Sequence, residues 1–207
     1  MALLTNIEFK RSHVTLSFDD GWKAVLTRDV FYELNLRENG TYDPEELKKQ
    51  ITLHQYRPAL NKAVSMLALR PCSKKEIEDR LIRFHYLPYT IELVIYKLEK
   101  EGFLNDPDFA KQWVEARMAQ GKYGRNRISF ELRQKGLSQE AVDEIMEETD
   151  SEQEYSSALR LAEKNFKKMD DPLERTKQKR RIYGMLVRRG FDPDVIHHVM
   201  DELYTED

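Results

Sequence analysis

Two segments of this sequence are rich in lysine and arginine, although the formal net charge of the whole chain is -3. Residues 111–135 contain seven cations and two acids, and residues 175–190 contain seven cations and no acid. Ammonium and guanidinium groups bind carboxylates and phosphates, so these segments predict a surface for an acidic protein or a nucleic-acid backbone. The candidate partner-binding residues are Lys111, Arg117, Lys122, Tyr123, Arg125, Arg127, Arg133, Lys135, Lys177, Arg180, Arg181, Arg188 and Arg189.

An ordinary solvated helix face is the competing interpretation of these cations. Arg127 and Glu131 lie four residues apart, a spacing at which opposite charges on a helix pair and contribute about 0.2–0.5 kcal/mol. Lys122, Arg125 and Arg133 have no acid at such a spacing. They are therefore the stronger candidates for contact with a partner.

The aromatic residues near these cations divide into two classes. Tyr123 stands among the cations and outside an apolar repeat, so it is the candidate for stacking on a nucleic-acid base. Phe109, Trp113 and Ile128 fall on predicted core faces of helices. Asp106 precedes a proline and is predicted to cap a helix rather than to act as a functional acid.

Residue patterns that support catalysis are not found in the sequence. It has no phosphate-binding glycine-rich loop of the GxxxxGK[ST] type, and its carboxylates do not form a separated acid–base pair. His197 and His198 are adjacent, so on a helix they point about 100° apart and cannot share one metal ion. With one cysteine and five scattered histidines, we predict no metal, no cofactor and no enzymatic activity.

Composition favours a soluble, helical, cytoplasmic protein. Charged residues make up 34% of the 207 positions and hydrophobic residues 40%, which suits an elongated helical chain with much surface per residue. The single Cys72 excludes an intramolecular disulfide and fits a reducing compartment. No apolar run reaches the roughly 20 residues of a membrane span, and no secretory signal is visible at the N-terminus.

The first 42 residues differ from the remainder. In "VTLSFDDGWKAVL", apolar residues alternate from Val14 to Phe18, the Asp-Asp-Gly of residues 19–21 provides a turn, and a second apolar run begins at Trp22. This pattern predicts a small β-hairpin or short sheet. The segment "TRDVFYELNL" predicts a short helix that ends near Asn39-Gly40.

From residue 43 onward, helix start and stop signals recur at short intervals. An aspartate that caps a helix, followed by proline at its first position, is one such signal. These pairs are Asp43-Pro44, Asp106-Pro107, Asp171-Pro172 and Asp192-Pro193. Ser73 and Glu76 form a capping box, and Gly136 and Gly190 stand at predicted helix ends. We therefore predict helices of about 10–18 residues joined by short turns.

One apolar frame occurs three times, at intervals of about 50 residues. Its copies are Leu81, His85-Tyr86, Ile91 and Ile95; Leu132, Gly136-Leu137, Val142 and Met146; and Leu186, Gly190-Phe191, Ile196 and Met200. Each copy predicts helix, tight cap, helix, with a further helix before it. The predicted fold is mostly α, an elongated array of three tandem three-helix repeats (43–104, 105–150 and 151–207) after a small β-hairpin-containing module (1–42).

Three stretches of the chain resemble the bacterial RecX regulatory proteins. They are "RPCSKKEIEDRL", "LEKEGFLNDPDFAKQWVEAR" and "GRNRISFELRQKGLSQEAVDEIM". The positions that match the family pattern are Ser73 and Glu76; Asp106, Phe109 and Ala110; and Gly124, Arg127, Ile128, Glu131, Leu132, Lys135 and Gly136. The resemblance extends from about Leu60 to Leu203. Two positions depart from it: Cys72 replaces a basic residue, and His85 replaces a capping glycine, so a less sharply left-handed turn is expected there.

The resemblance implies a non-enzymatic modulator of the RecA recombinase. Such proteins lie in the groove of the RecA–DNA filament and interfere with ATP hydrolysis and strand exchange, which affects DNA repair, recombination and the SOS response. The expected partners are RecA, the RecA–DNA filament and single- or double-stranded DNA. The protein is expected to be a monomer and not to bind a membrane. Two alternatives stay open, a tandem helical module that binds DNA directly and a generic helical interaction scaffold.

Overall fold

The computed structural model describes residues 1–149, 151–167 and 175–205. An antiparallel sheet of four strands comes first, in the order β3-β2-β1-β4. Its strands are β1 (Ala2–Phe9), β2 (His13–Phe18), β3 (Lys23–Thr27) and β4 (Thr41–Tyr42). The chain then forms three successive groups of three helices. The prediction of a mostly α-helical fold after a small β-containing module is confirmed.

The predicted hairpin is the pair β2 and β3. Val14 lies opposite Leu26 and Leu16 opposite Ala24, and all four side chains are buried. The turn closes where Phe18 N donates to Trp22 O over 2.9 Å. Strand β1 was not predicted, because its apolar and polar residues do not alternate regularly and its pairing with β2 shifts register between residues 4 and 6.

The short helix of the N-terminal module, α1 (Arg28–Leu34), ends earlier than predicted. Asn35 adopts a left-handed conformation with φ 50° and its N–H bonds to Tyr32 O, so it ends the helix four residues before Asn39. Asparagine tolerates this conformation better than most residues other than glycine. Val30 and Phe31 of α1 pack against the sheet in the first hydrophobic core.

The first group of three helices contains α2 (Pro44–Leu69), α3 (Lys74–Arg83) and α4 (Pro88–Lys100). Helix α2 has 26 residues and passes through Pro58, so it is longer than the predicted 10–18 residues. It serves two cores: Leu47 and Ile51 pack with the sheet, whereas Ala59 and Ala63 pack with α3 and α4. Packing at both ends holds the helix together across the proline.

The second and third groups follow in order. Their helices are α5 (Asp106–Gln120), α6 (Arg125–Gln134), α7 (Gln139–Glu147), α8 (Ser151–Phe166), α9 (Arg175–Arg188) and α10 (Pro193–Thr205). Each group has its own hydrophobic cluster. The chain divides into two compact units, Met1–Asn105 and Asp106–Asp207. Within the described ranges, no helix combines the length and the apolar character that crossing a membrane requires.

The predicted helix caps at Asp43, Ser73 and Asp192 are confirmed. Asp43 accepts from the backbone N–H groups of the first turn of α2, Ser73 and Glu76 form the reciprocal capping box, and Asp192 accepts from Asp194 N. Helix α5 begins at Asp106 itself, one residue earlier than the cap prediction. The pair at 171–172 lies outside the described residues.

The turn at His85 contradicts the sequence expectation. Its φ is 62°, close to the 71° of Gly190 at the equivalent position, so the turn is as left-handed as in the copy with glycine. The bond from Tyr86 N to Leu81 O closes the turn, and the His85 ring packs 4.1 Å, centroid to centroid, from that of His13. Burial and the neighbouring His13 lower the pKa of His85. Tertiary packing therefore holds a side chain in a conformation that glycine adopts more easily.

Candidate partner-binding surface

In the second group of helices, a single carboxylate pairs with two of the predicted contact cations. Glu131 on α6 lies 2.9 Å from Arg117 Nε and 3.3 Å from Arg127 Nε. It also accepts a hydrogen bond from Trp113 Nε1 over 3.2 Å. The predicted pairing of Arg127 with Glu131 is confirmed. Glu131 therefore links α5 to α6, and the charges of Arg117 and Arg127 are partly neutralised within the fold.

Trp113 is held between two cations. The Arg117 guanidinium lies 4.5 Å and the Lys135 ammonium 4.0 Å from the Trp113 ring centroid. Both distances permit cation–π attraction. Trp113 is half-buried against the cluster that contains the buried Ile128 and Phe109, so its predicted core role holds for the ring, while its N–H donates to Glu131.

Arg125 and Arg133 have no acid at helical spacing, as the sequence indicates, but each bonds to a partner elsewhere in the fold. The Arg125 guanidinium donates to the carbonyl oxygen of Met146, the penultimate residue of α7. Arg133 Nη1 donates to Gln139 Oε1 over 2.7 Å. These partners lie 21 and 6 residues away, beyond the spacing that a single helix reveals. Arg125 is therefore a structural residue that joins the start of α6 to the end of α7.

Three more candidates in this segment differ in their burial and in whether they contact another side chain. Lys111 lies 3.5 Å from Glu148 in an exposed ion pair. Tyr123, the stacking candidate, is half-buried against the hydrophobic cluster of the second group of helices. The Arg117 guanidinium lies 5.7 Å from its ring centroid. Lys122 is exposed, and its ammonium has no salt bridge in the described part of the chain.

Helix α9 presents the clearest basic surface. Lys177, Arg181, Gly184 and Arg188 stand at i, i+4, i+7 and i+11, so they line one face, turned away from the buried Ile182.

Arg180 lies beside this row. Arg180, Arg181 and Arg188 are exposed, and the described residues provide none of them with an ion pair or a side-chain hydrogen bond. The basic stripe, defined as Lys177, Arg180, Arg181 and Arg188, is thus the part of the predicted surface with the most accessible charge.

The backbone joins the two basic segments. Gly124 N donates to Arg189 O and Asn126 N donates to Gly190 O, each over 3.0 Å. Arg189 Nη1 in turn donates to Lys122 O over 3.2 Å. The loop before α6 and the end of α9 therefore meet, and Arg189, predicted as a contact residue, also connects the second and third groups of helices.

Glu154 at the start of α8 is a buried carboxylate whose role in the fold sequence reasoning missed. Its side chain is 1% exposed, and Oε1 accepts from Arg125 N over 2.9 Å and from Asp192 N over 3.1 Å. Burial raises the pKa of Glu154, against the lowering by the two backbone N–H groups. It belongs to an acidic run, but its spacing of four and eight residues from the buried Ala158 and Ala162 places it on the core face.

In the three ranges that the structure describes, no group of three or more His, Cys, Asp or Glu side chains is arranged to hold a metal ion. The surface provides cations, aromatic rings and backbone caps. What it can do chemically is bind anionic groups.

Comparisons with known proteins identify the family. The family profile for the second three-helix domain of RecX matches residues 105–146, and that for the third three-helix domain matches residues 152–200. The regulatory protein RecX of Prosthecochloris aestuarii (strain DSM 271 / SK 413) is 34% identical over 149 residues, which cover 72% of this chain and 95% of that protein. The regulatory protein RecX of Clostridioides difficile (strain 630) is 28% identical over 214 residues, which cover 100% and 98%.

Solved structures show the same fold. A crystal structure of RecX from Lactobacillus salivarius is 23% identical, with a TM-score of 0.65 over 73% of this chain and 97% of that one. A second crystal structure of a regulatory protein RecX has a TM-score of 0.66 at 19% identity, over 97% of this chain. Both relatives are named regulatory proteins, and the alignments cover nearly their whole length. From its helical domains and its similarity to these proteins, the chain belongs to the RecX family of regulatory proteins.

Proposed function

We propose that this protein binds the RecA recombinase or the RecA–DNA filament and inhibits ATP hydrolysis, recombination and strand exchange. By doing so it modulates DNA repair and the SOS response. The observation that carries the proposal is the basic stripe on α9, whose Arg180, Arg181 and Arg188 are exposed and without a described partner. Membership of a family of regulatory proteins supports it.

The stripe suits an anionic partner for a physical reason. Arginine offers a planar fork of N–H donors that matches carboxylate and phosphate, and its guanidinium is less strongly hydrated than an ammonium group. Charges that are not neutralised within the fold are available to a partner. Attraction of this kind speeds association and weakens as salt is added.

The protein acts in this proposal by occupying a surface rather than by chemistry of its own. A filament of RecA on DNA presents acidic side chains and phosphates, and a bound helical protein prevents the movements and contacts that strand exchange requires. The stripe and Lys122 provide the charges for this binding. Arg125 and Glu131 hold α5, α6 and α7 together, next to Lys122.

The test is a titration of this protein into the DNA-dependent ATPase and strand-exchange reactions of RecA from the same organism. The variant is the triple change Arg180→Ala, Arg181→Ala and Arg188→Ala. We expect it to raise the concentration needed for half-inhibition by about tenfold or more, because charge pairs at the contact are lost.

A matched control removes three cations that pair within the first unit. Lys10, Lys48 and Lys74 lie within 3.5 Å of Glu8, Glu45 and Glu99 respectively. Changing these lysines to Ala alters the net charge equally and should leave inhibition as it is. Equal inhibition by the wild type and the stripe variant would remove the stripe from the contact. Absence of any effect on RecA, together with salt-sensitive binding to DNA alone, would instead identify a direct DNA-binding module.

A further inference from the structure

A groove that the basic surface does not include runs between α2 and α4. It encloses about 620 Å³, within the usual range for ligand-binding clefts. Its apolar lining comes from Leu53, Tyr56, Tyr89, Leu93 and Tyr96. Leu53 is 75% exposed, Tyr89 59% and Tyr96 62%. Large apolar side chains gathered in one exposed groove are typical of an interaction site.

The charges at this groove are mainly positive. Lys49 on α2 and Lys97 and Lys100 on α4 line it with one acid, Glu101. Glu101 forms an ion pair with Lys97, whose ammonium lies 2.6 Å from its carboxylate. Lys49 has no salt bridge in the described part of the chain, and the Lys100 ammonium lies 6.0 Å from the Tyr96 ring centroid. A partner with carboxylates beside its apolar residues complements this arrangement.

Thr52 adds an independent observation. It lines the groove, and its Oγ1 is buried without a hydrogen-bond partner among the described residues. Buried hydroxyl groups in folded proteins are nearly always hydrogen-bonded. Because Oγ1 is buried, an occupant of the groove can bond to it only if the Thr52 side chain rotates toward the groove.

The groove has the length of a short helix. From Tyr89 to Lys100, α4 extends about 16 Å, which is three helical turns. We propose that the groove between α2 and α4 binds an amphipathic helix of a partner protein, with apolar residues at i, i+4 and i+7 against the tyrosines and acidic residues beside them toward Lys49 and Lys100.

Single-stranded nucleic acid fits this groove less well. Its bases would stack on Tyr89 and Tyr96. Leu53 and Leu93 offer no such stacking, and they occupy part of the lining between the tyrosines. The proposal concerns the unit of residues 1–105 and does not depend on the proposed contact between the α9 stripe and RecA.

The experiment uses the full chain and a fluorescein-labelled helical peptide of about 15 residues with Leu at i, i+4, i+7 and i+11 and Glu beside each Leu. Fluorescence anisotropy should give a Kd of about 10 µM. Leu53→Ser and Tyr96→Ala, both at exposed positions, should each weaken binding about tenfold. Ile82→Ser on α3, an exposed apolar residue outside the groove, is the matched control and should bind the peptide as the wild type does.

Several results would overturn the proposal. These are an absence of peptide binding, wild-type affinity of the Leu53→Ser and Tyr96→Ala variants for the peptide, and an unchanged affinity when Lys replaces each Glu of the peptide. A labelled oligothymidylate whose binding depends on Tyr96 and Leu53, while the acidic peptide does not bind, would show that the groove takes nucleic acid instead. Circular dichroism of each variant establishes that the helices are intact.

Discussion

Gly124 packs against the peptide that joins Gly190 to Phe191, so closely that a Cβ at Gly124 would stand 2.5 Å from both Gly190 O and Phe191 N. The neighbouring backbone groups bond across this contact, from Gly124 N to Arg189 O and from Asn126 N to Gly190 O. The second and third groups of helices therefore meet backbone to backbone. A side chain at Gly124 has no space, because the atoms that it would strike belong to main chain.

Gly124→Ala should lower the free energy of unfolding by about 1–3 kcal/mol, the usual effect of overpacking a tight contact. Urea denaturation followed by circular dichroism measures the change. Gly184→Ala is the control, because its nearest obstacle is the movable Arg188 Nη1 at 3.2 Å. Alanine is the better helix former, so this control should gain about 0.5–1 kcal/mol. Equal effects of the two changes would contradict the proposed importance of the contact.

Glu154 should make stability depend on pH. Burial raises its pKa in the folded protein, so above the ordinary glutamate value of about 4.3 the folded state holds a proton that the unfolded chain has released. The folded state then binds more protons, and stability falls as pH rises through the folded-state pKa. Relative to Glu154→Gln, which cannot ionise, the wild type should lose stability as pH is raised.

The measurement for Glu154 is the free energy of unfolding of the wild type and of Glu154→Gln in urea at a series of pH values. Glu152→Gln, an exposed change on the same helix, matches the loss of charge. A difference between the wild type and Glu154→Gln that stays constant over the whole series would contradict the predicted coupling.

Glu131→Gln should destabilise the second group of helices by about 1–3 kcal/mol, because Arg117 and Arg127 lose their carboxylate partner and the half-buried Arg117 keeps its charge. Since Trp113 bonds to Glu131, tryptophan fluorescence reports the unfolding directly. Glu115→Gln, on the exposed side of α5, is the charge-matched control and should have an effect within about 0.5 kcal/mol. An unfolding midpoint of Glu131→Gln equal to that of the wild type would show that the Glu131 contacts do not stabilise these helices.

Arg125→Ala should separate structural from partner-binding cations. The change removes the bond to the Met146 carbonyl and should cost about 1.5–3 kcal/mol of stability, the range for a hydrogen bond that involves a charged group. Arg181→Ala on the α9 stripe should leave the melting temperature within about 2 °C of the wild type and weaken RecA inhibition. If the two variants exchanged these properties, the assignment of their roles would be wrong.

Local signals predicted much of this fold from the sequence. The caps at Asp43 and Ser73 act within one helical turn, and the left-handed Gly136 lies inside the repeated frame, so each is visible in a few adjacent residues. The full length of α2 was not predictable, because it depends on two cores that assemble only in three dimensions. The same holds for β1, whose partner strands give it the regularity that its own residues lack.

The candidate site was predicted less well, for a related reason. The basic segments were found by counting charges, but whether a cation is free depends on distant partners. Arg125 bonds to a carbonyl 21 residues away, and Glu154 bonds to backbone groups 29 and 38 residues away. An acidic run in the sequence also gave no indication that one of its members is buried. On α9, Arg180, Arg181 and Arg188 are exposed and have no ion pair among the described residues, as their composition predicted.

Helix α2 also has a consequence for how the first unit holds together. Leu47 and Ile51 belong to the core of the sheet, and Ala59 and Ala63, farther along the same helix, belong to the core of the next helices. The two cores therefore share one helix, and unfolding of either core removes packing contacts from the other. Deletion of residues 1–42 should expose the apolar residues of α2 that pack against the sheet. The shortened protein should therefore self-associate and elute earlier than a monomer on size-exclusion chromatography.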